Sequence, residues 1–246
     1  MKGKKALITG GDSGIGRAIA IAFAREGADV AFSYFNEEED AEETLRWITK
    51  EGRRGFSFAG DIQDVEHCHE VVKQAVENLG GLDIVVNNAA YQHLSENIED
   101  LKTEDLERTF RTNFYSYIWF IQGSLKYMTE GGVILNTTSV NAFRGNESLV
   151  DYSATKAAIL NLTKSLAPQL AKRGIRVNAV APGPVWTPLI VSTMEDKAKD
   201  FGKKTLWERP AQPIEIATSF VFLASNDARY YTGQVMSPTG MESGAR

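Results

Sequence analysis

A tyrosine and a lysine stand four residues apart, at Tyr152 and Lys156, in the stretch DYSATKAAI just ahead of an apolar, helix-forming run. If this stretch is helical, the two side chains lie one above the other on the same face, because residues i and i+4 are neighbours on a helix. The ammonium group is then close enough to influence the phenol oxygen. A random pair of this kind is more often a packed ring beside a solvated lysine than a proton-transfer device, so the flanking sequence must decide.

Short β-rich runs alternate with helix-length amphipathic segments along the whole chain. This order predicts an α/β protein with a three-layer Rossmann fold, in which a doubly wound parallel sheet of about seven strands has helices on both faces. No linker or repeat divides the chain, so we expect a single domain over residues 1–246. The predicted strands begin near Lys5 and cover residues 28–34, 54–61, 82–88, 132–139, 175–183 and 233–237. In such sheets ligands bind at the carboxyl ends of the strands, which is where the informative residues should follow.

The first predicted strand runs directly into the stretch TGGDSGIG, residues 9–16, and then into a helix. Gly10, Gly14 and Gly16 permit a tight strand-to-helix turn and let backbone N–H groups approach a phosphate at the start of the helix. The pattern predicts a dinucleotide-binding turn, although its spacing differs from the G-x-G-x-x-G fingerprint. The alternative is a glycine turn that serves only chain geometry.

Composition argues against several function classes. The chain has 246 residues, of which 43% are hydrophobic, and a formal charge of -5 with acidic and basic residues mixed. It therefore lacks the basic stripe of a nucleic-acid binder. The single cysteine, Cys68, cannot form an internal disulfide, which fits a reducing cytoplasm. Because no segment approaches the apolar length of a signal peptide core or a membrane span, we expect a cytoplasmic protein with no membrane partner.

A series of motifs resembles the short-chain dehydrogenase/reductase family, in the same order and over nearly the whole chain. Besides the glycine turn, GDI at 60–62 is similar to the family's stretch at the adenine ring, and NNAA at 87–90 is similar to its Asn-Asn-Ala-Gly motif, with alanine in the last place. PGPVWT at 182–187 resembles its loop on the nicotinamide side. Four further residues match the catalytic residues of the family: Asn113, Ser139, Tyr152 and Lys156.

The resemblance implies a role for each of these four. Ser139 would hydrogen-bond the substrate oxygen, and Tyr152 would exchange a proton with that oxygen. An ordinary phenol has a pKa of about 10, so we expect Lys156 and an oxidised nicotinamide to favour the phenolate and lower this pKa. Asn113 would hold a water that links Lys156 to solvent. The alternative role for the Asn113 amide is to bend or cap its helix.

The resemblance also implies a set of cofactor contacts. Asp61 would hydrogen-bond the adenine amino group, Lys156 would bind the nicotinamide ribose, and the hydroxyl of Thr187 and the backbone of Val185 would meet the nicotinamide end. The full predicted set is Gly10, Asp12, Ser13, Gly14, Ile15, Gly16, Tyr34, Asp61, Ile62, Asn88, Ala89, Ala90, Tyr152, Lys156, Pro182, Gly183, Val185 and Thr187.

The expected cofactor is NAD or NADP. NAD-selective members place a carboxylate at the end of the second strand, where this chain has Tyr34. NADP-selective members place a basic residue at the next position or just before the second glycine, where this chain has Phe35 and Ser13. Neither signature is present. The acidic run at 36–40 would repel a 2′-phosphate, which slightly favours NAD.

We therefore expect an enzyme that transfers hydride between nicotinamide and a secondary alcohol or carbonyl compound, without a metal ion. The resemblance reaches bacterial glucose/ribitol-dehydrogenase-like members, and it leaves sugars, polyols, ketones and steroids open as substrates. Specificity is expected from a helical lid within residues 185–210, joined by His93, Asn141, Phe143 and Glu147. The resemblance also implies a homo-oligomer, usually a tetramer, although the tail at 237–246 departs from the common ending.

Three other interpretations of the sequence can be compared with this expectation. A non-catalytic NAD(P)-sensing regulator on the same fold would lose the tyrosine or lysine, and this chain keeps both. A sugar-nucleotide epimerase or dehydratase of the extended branch would carry a further C-terminal substrate region, for which 246 residues leave no room. A metal site at His67 and His69 is disfavoured because residues two apart face different sides of a helix, so this stretch is interpreted as a solvated face with a buried Cys68.

Overall fold

A computed structural model of the protein describes residues 1–194 and 199–241. Within them, all seven predicted strands are present and each is shorter than its apolar run. The strands are β1 (Lys5–Thr9), β2 (Asp29–Tyr34), β3 (Gly55–Ala59), β4 (Ile84–Asn87), β5 (Val133–Thr137), β6 (Arg176–Val180) and β7 (Val235–Met236).

Helices connect the strands and cover both faces of the sheet. They are α1 (Gly14–Arg25), α2 (Glu38–Lys50), α3 (Val65–Leu79), α4 (Thr103–Phe110), α5 (Ser116–Leu125), α6 (Asn141–Arg144), α7 (Val150–Ala171), α8 (Pro188–Met194) and α9 (Pro213–Ala224). Helix α3 ends at Gly80, a left-handed cap with φ 75° whose N–H donates to the Val76 carbonyl.

The strands form one parallel sheet in the order β3-β2-β1-β4-β5-β6-β7. The chain moves outward from β1 to β3 and then crosses back to β4 on the other side of β1. The strand order therefore reverses between β1 and β4, which is the position where doubly wound sheets leave a crevice for a ligand. The predicted fold class is confirmed.

The core lies in two layers because successive strand residues point to opposite faces. Ala6 and Ile8 of β1 pack with α1 and α9, whereas Leu7 between them packs with α3, α5 and α7. The strands are thus apolar on both faces, and their runs are continuous rather than alternating. This packing holds the carboxyl ends of β1, β4 and β5 beside one another at a single edge.

Two parts of the sequence-based predictions fall outside the described residues. They are 195–198, within the segment expected to form a lid, and 242–246, at the end of the tail. Among the residues the structure describes, no helix combines the length and apolarity needed to cross a bilayer.

Candidate active site

One cavity of about 610 Å³ lies along the carboxyl edge of the sheet. Its walls come from the segments that follow β1, β2, β3, β4, β5 and β6. Its volume is typical of a small-molecule or cofactor pocket. All but two of the predicted site residues line it; the exceptions are Gly16 and Asn113, which lie behind the wall.

The backbone conformation and packing of the glycine turn leave no room for a side chain at its glycine positions. Gly10 and Gly14 have φ values of 64° and 52°, in the left-handed region that favours glycine. A Cβ at Gly16 would lie 1.7 Å from the Gly10 carbonyl oxygen, so helix α1 packs directly on the turn. Ser13 at the start of α1 makes no side-chain cap, and the first turn carries no acidic residue. The first N–H groups of α1 are therefore available to an anion such as a phosphate.

Asn88 joins the ends of three strands beneath this turn. Its side-chain nitrogen donates to the carbonyls of Thr9 and Gly10, at 3.2 and 3.3 Å, and its oxygen accepts from the Thr137 hydroxyl at 3.3 Å. The backbone N–H groups of Asn88 and Ala89 both donate to the Thr9 hydroxyl. A Cβ at Gly10 would lie 3.1 Å from Ala89 Cα. The sequence NNAA thus holds the floor of the cavity against the glycine turn.

The segment that follows β3 forms the wall predicted to contact adenine. Asp61 is exposed and accepts hydrogen bonds from the backbone and side chain of Gln63, so its carboxylate stands at the cavity surface. Ile62 is buried, and its carbonyl accepts from the Cys68 thiol at 3.2 Å. A Cβ at Gly60 would lie 2.3 Å from the His67 ring. Helix α3 therefore supports this wall from behind.

The interpretation of residues 66–70 as a solvated face is wrong in part. The Nε2 atoms of His67 and His69 are buried without a hydrogen-bond partner, since the rings pack inward against Gly60 and Gly123. Burial also raises the pKa of the Cys68 thiol to about 12. In the described part of the chain, no group of three or more His, Cys, Asp or Glu side chains is arranged to hold a metal.

Ser139 and Tyr152 meet at the other end of the cavity. Ser139 follows β5, and its oxygen accepts from the Asn141 backbone N–H at 3.2 Å, which leaves its hydroxyl hydrogen free to donate. The Ser139 side chain lies beside the Tyr152 phenol and acts to lower the pKa of that phenol. Tyr152 is fixed at the start of α7 by the buried Asp151, whose carboxylate accepts from the Tyr152 N–H at 2.8 Å and the Thr109 hydroxyl at 2.5 Å.

Lys156 lies one turn further along α7 and is 1% exposed. Its Nζ donates to the Thr137 carbonyl at 2.9 Å and lies 5.3 Å from the centre of the Tyr152 ring. The Thr138 hydroxyl donates to the Lys156 carbonyl at 2.6 Å. Two hydrogen bonds therefore attach this turn of α7 to the end of β5, and the predicted proximity of lysine and tyrosine is present.

The pKa values of this pair differ from the expectation. Burial raises the Tyr152 pKa to about 12, and the Ser139 hydrogen bond offsets only part of that rise. Burial also lowers the Lys156 pKa from 10.5 to about 7. Without a bound cofactor, Lys156 does not lower the tyrosine pKa as predicted, because the buried lysine is itself close to losing its charge at neutral pH.

Asn113 lies on a π-helical turn, Arg111–Tyr115, between α4 and α5. It is fully buried, and its amide binds the Tyr91 backbone at both ends: Oδ1 accepts from the N–H at 2.7 Å, and Nδ2 donates to the carbonyl at 2.8 Å. Nδ2 also donates to the Thr155 hydroxyl at 3.3 Å. Both amide hydrogens are thus used, and a relay water held by this side chain would have to donate to Oδ1.

The loop after β6 forms another wall of the cavity, beside the glycine turn. A Cβ at Gly14 would lie 3.4 Å from Thr187, so this loop and the glycine turn approach each other. The Gly183 N–H donates to the Pro238 carbonyl at 3.1 Å, and a Cβ at Gly183 would lie 2.6 Å from the Thr239 oxygen. The described part of the tail therefore packs on the predicted nicotinamide loop, a contact between distant segments that no local pattern indicates.

The substrate side of the cavity differs from its prediction. Asn141 lines the cavity as expected, whereas His93, Phe143 and Glu147 do not. Residues of α8 line it, in agreement with the expected lid. Lining residues that the sequence did not indicate are Tyr91, Gln92, Arg108, Arg144, Asn146 and Leu149. Most of them follow β4 or β5, so their position after a predicted strand could have identified them as lining residues from the sequence.

Two of these missed contacts are long-range. The Arg108 guanidinium lies 4.1 Å from the centre of the Tyr91 ring. The buried Gln92 donates from Nε2 to the Thr193 hydroxyl of α8 at 2.6 Å, which connects α8 to the segment after β4.

Comparison with known proteins agrees with this arrangement. A family model described as enoyl-(acyl carrier protein) reductase matches residues 10–240. The chain is 51% identical to NADPH-dependent aldehyde reductase 1, chloroplastic, of Arabidopsis thaliana, over 98% of this chain and 86% of the relative. It is 49% identical to glucose and ribitol dehydrogenase of Daucus carota, over 98% of this chain and 85% of the relative.

The fold is shared with solved structures. A short-chain dehydrogenase from Burkholderia cenocepacia J2315, in complex with NADP, superposes with a TM-score of 0.91 at 32% identity and 97% coverage of both chains. Matches in sequence and in structure thus extend over the glycine turn, the Ser139–Tyr152–Lys156 end and the loop after β6. The chain belongs to the short-chain dehydrogenase/reductase family of oxidoreductases, as a member of its glucose/ribitol-dehydrogenase-like type.

Proposed function

We propose that the protein is an NAD(P)-dependent oxidoreductase that transfers hydride between nicotinamide and a secondary alcohol or carbonyl compound. The observation that carries this proposal is that Ser139, Tyr152 and the buried Lys156, one helical turn from Tyr152, line one cavity. These groups open into the same cavity as the glycine turn. Proton-transfer groups and a phosphate-binding turn in one cavity are what a hydride-transfer reaction requires.

The residues present fit a dinucleotide. The reacting end follows β5 and Tyr34 ends β2, so three strand spacings, about 14 Å in all, separate the two ends of the cavity. The glycine turn between them would hold the pyrophosphate on the N–H groups of α1. Asp61 and Ile62 would hold the adenine. When bound, the cofactor supplies a hydride donor or acceptor at nicotinamide C4.

Ser139 and Tyr152 would act on the substrate oxygen. In the reducing direction the neutral Tyr152 donates its proton to the forming alkoxide, while Ser139 donates a hydrogen bond to the same oxygen. In the oxidising direction the phenolate accepts the alcohol proton. Because burial favours the neutral phenol, the free protein is prepared for reduction, and oxidation needs either alkaline pH or an added positive charge beside the ring.

Lys156 and Asn113 would support this proton transfer. One of the three N–H donors of Lys156 is used by Thr137, so two remain for ribose hydroxyls. Asn113 would act through Tyr91, whose backbone it fixes next to Ala89 and Ala90 at the cavity floor. A water on Asn113 Oδ1 would then complete a proton path from Lys156 to solvent.

The substrate side of the cavity favours a small molecule with both polar and apolar parts. Gln92, Asn141 and Asn146 offer amides, and Leu149 and Leu189 offer apolar contact. The relatives are called an aldehyde reductase and a glucose and ribitol dehydrogenase. We propose an aldehyde, sugar or polyol, while ketones and steroids stay in the set to be tested. No relative supports the alternative of a non-catalytic regulator. Such a regulator would lose Tyr152 or Lys156, and this chain has both.

Oligomer formation and location are also part of the proposal. The start of α9 and the turn before β7 expose Ile214, Tyr230 and Tyr231, the kind of surface that a second copy of the chain covers. A homo-oligomer, with a tetramer as the family resemblance implies, fits this surface. A cytoplasmic location fits a chain whose one cysteine cannot form an internal disulfide.

The proposal is tested by a substrate screen. Purified protein is incubated with aldehydes, sugars, polyols, ketones and steroids and with each of NAD, NADH, NADP and NADPH, while NAD(P)H absorbance is followed. We expect turnover with at least one aldehyde or polyol. Binding of cofactor without turnover on any compound, although Tyr152 and Lys156 are intact, would favour the regulator instead.

A further inference from the structure

The charged side chains that line the cavity are divided between its two ends. The acidic ones follow β1, β2 and β3, at the end proposed for the adenosine; they are Asp12, Glu37, Asp40 and Asp61. Arginines line the other end: Arg108 is on α4, after β4, and Arg144 ends α6, after β5. Among the residues that the structure describes, no carboxylate lines the part of the cavity formed after β4, β5 and β6. The substrate end is therefore locally positive in a chain with a formal charge of -5.

Arg108 has no carboxylate partner in the described part of the chain. Its guanidinium lies 4.1 Å from the centre of the Tyr91 ring, and no hydrogen bond or ion pair joins it to another described residue. Asp105, three residues earlier on α4, faces His93 instead, at 3.9 Å. The N–H groups of the Arg108 guanidinium are therefore available to a ligand.

The Tyr91 ring gives this guanidinium a defined position. A guanidinium over an aromatic ring uses its flat face for the ring, so the N–H groups at its edge stay free to donate. The Tyr91 backbone is itself fixed, since Asn113 accepts from its N–H at 2.7 Å and donates to its carbonyl at 2.8 Å. A planar guanidinium held in this way can bind both oxygens of a carboxylate or phosphate at once. Arg108 is thus oriented for an anion although its side chain is exposed.

Helix α4 holds Arg108 close to the reacting end of the cavity. The Thr109 hydroxyl donates to the buried Asp151 carboxylate at 2.5 Å, and Asp151 directly precedes Tyr152. Because Arg108 directly precedes Thr109, the two lining residues Arg108 and Tyr152 are each one residue from this bond. Thr112, four residues after Arg108, also lines the cavity and offers a hydroxyl beside the guanidinium. One small molecule can therefore place an anionic group at Arg108 and its reacting oxygen at Tyr152.

We infer that the substrate carries an anionic group, a carboxylate or a phosphate, which Arg108 binds while the reacting carbon lies at Tyr152. This inference rests on the proposed oxidoreductase function and narrows its substrate class to aldehydes, sugars or polyols that carry such a group. It assigns Arg108 as a residue that determines specificity. Arg108 acts on substrate binding, because the anionic group takes no part in the bonds that change during hydride transfer.

The test compares substrates that differ in one anionic group. The pairs are succinic semialdehyde with its methyl ester, glyceraldehyde 3-phosphate with glyceraldehyde, and glucose 6-phosphate with glucose. The first pair reports on a carboxylate and the other two report on a phosphate. For each compound kcat/KM is measured from NAD(P)H absorbance with the preferred cofactor.

Three variants accompany the native protein in this comparison. Arg108→Gln removes the charge, and Arg108→Lys keeps the charge but loses the planar group that binds two oxygens. Arg46→Gln is the matched control, because Arg46 is an exposed arginine of α2 that does not line the cavity. Arg46→Gln and Arg108→Gln remove the same charge, so only its position differs.

We expect the native protein to turn over the anionic member of at least one pair with a kcat/KM at least about fivefold above that of its neutral partner. Arg108→Gln should bring this ratio to about one, through a higher KM for the anionic substrate. Arg108→Lys should lower the ratio by less, and Arg46→Gln should leave it unchanged. A retained Kd for NADH or NADPH shows that a variant is folded; if Arg108→Gln loses it, Arg108→Lys carries the comparison.

Two results would overturn the inference and leave the proposed function standing. One is turnover in which no anionic substrate is preferred over its neutral partner, and the other is a ratio in the Arg108 variants equal to that in Arg46→Gln. Absence of turnover on these pairs and on every compound of the wider screen, although cofactor binds, would instead overturn the proposed function on which the inference rests.

Discussion

At the scale of single residues, the relative position of Tyr152 and Lys156 was predictable and their pKa values were not. The four-residue spacing of Tyr152 and Lys156 is visible in the chain and is present in the structure. The depth of burial is not visible, because the groups that cover Lys156 come from the end of β5 and from Tyr117 on α5. Burial raises the Tyr152 pKa and lowers the Lys156 pKa in the free protein, and the lowering of the tyrosine pKa beside an oxidised nicotinamide stays a prediction.

The low Lys156 pKa predicts a pH-dependent stability. The folded protein loses this proton near pH 7, whereas the unfolded chain keeps it up to about pH 10.5. Between these values the unfolded state binds more protons, so the free energy of unfolding rises with pH, by at most about 1.4 kcal/mol per pH unit. Below pH 7 both states are protonated and this contribution is constant.

Lys156→Met removes the titrating group and is the reference for that prediction. Urea unfolding of both proteins between pH 6 and about pH 9.5 gives the difference in the free energy of unfolding. We expect the native protein to gain stability relative to the variant from about pH 7 upward. A difference that stays constant over this range would show that Lys156 keeps an ordinary pKa.

At the scale of elements, the strands and the glycine turn followed from the chain, and the break in the helix at 111–115 did not. The stretch from Thr103 onward has the pattern of one long helix, and the structure has α4, a π-helical turn and α5, which ends at Leu125. The turn sets Asn113 against Tyr91, twenty-two residues earlier. Such a contact depends on tertiary packing, which helix propensity does not report.

This arrangement predicts that Asn113→Ala destabilises the protein. The change leaves the N–H and carbonyl of Tyr91 without their partners, which should lower the free energy of unfolding by about 2 kcal/mol. Turnover should also fall, because the cavity floor beside Ala89 would loosen. Urea unfolding measures the first effect, with Asn161→Ala at an exposed position of α7 as the control. Equal stability of the two variants would mean that the Tyr91 contacts contribute nothing.

At the scale of the whole molecule, the sheet order and the cavity were predictable because each strand is followed by its own motif. Doubly wound connections bring those motifs to one edge whatever the details of the helices. The lid contacts and the tail were not predictable in this way. Gln92 reaches Thr193 and Gly183 meets Thr239 across long stretches of sequence, and neither pair has a local signature.

The exposed apolar surface around α9 and β7 predicts a homo-oligomer. Tyr230 is 99% exposed and Ile214 is 45% exposed in the single chain, so contact with a second copy would bury both. We expect sedimentation analysis to give a species larger than 27.1 kDa. Ile214→Glu should shift the distribution towards smaller species, because it places a charge in the interface. Thr49→Glu, at an exposed position of α2, should leave it unchanged; a native protein that sediments as a monomer would contradict the prediction.

Tyr152 is proposed to transfer the proton, and Tyr152→Phe is the variant that tests this role. The phenylalanine keeps the ring and its packing while it removes the hydroxyl that Ser139 contacts. On a substrate identified for the native protein, we predict that kcat falls by about 10²- to 10⁴-fold while the Kd for NADH or NADPH changes little. Tyr115→Phe, on an exposed ring, serves as the control. Turnover by Tyr152→Phe within about tenfold of the native rate would contradict the account.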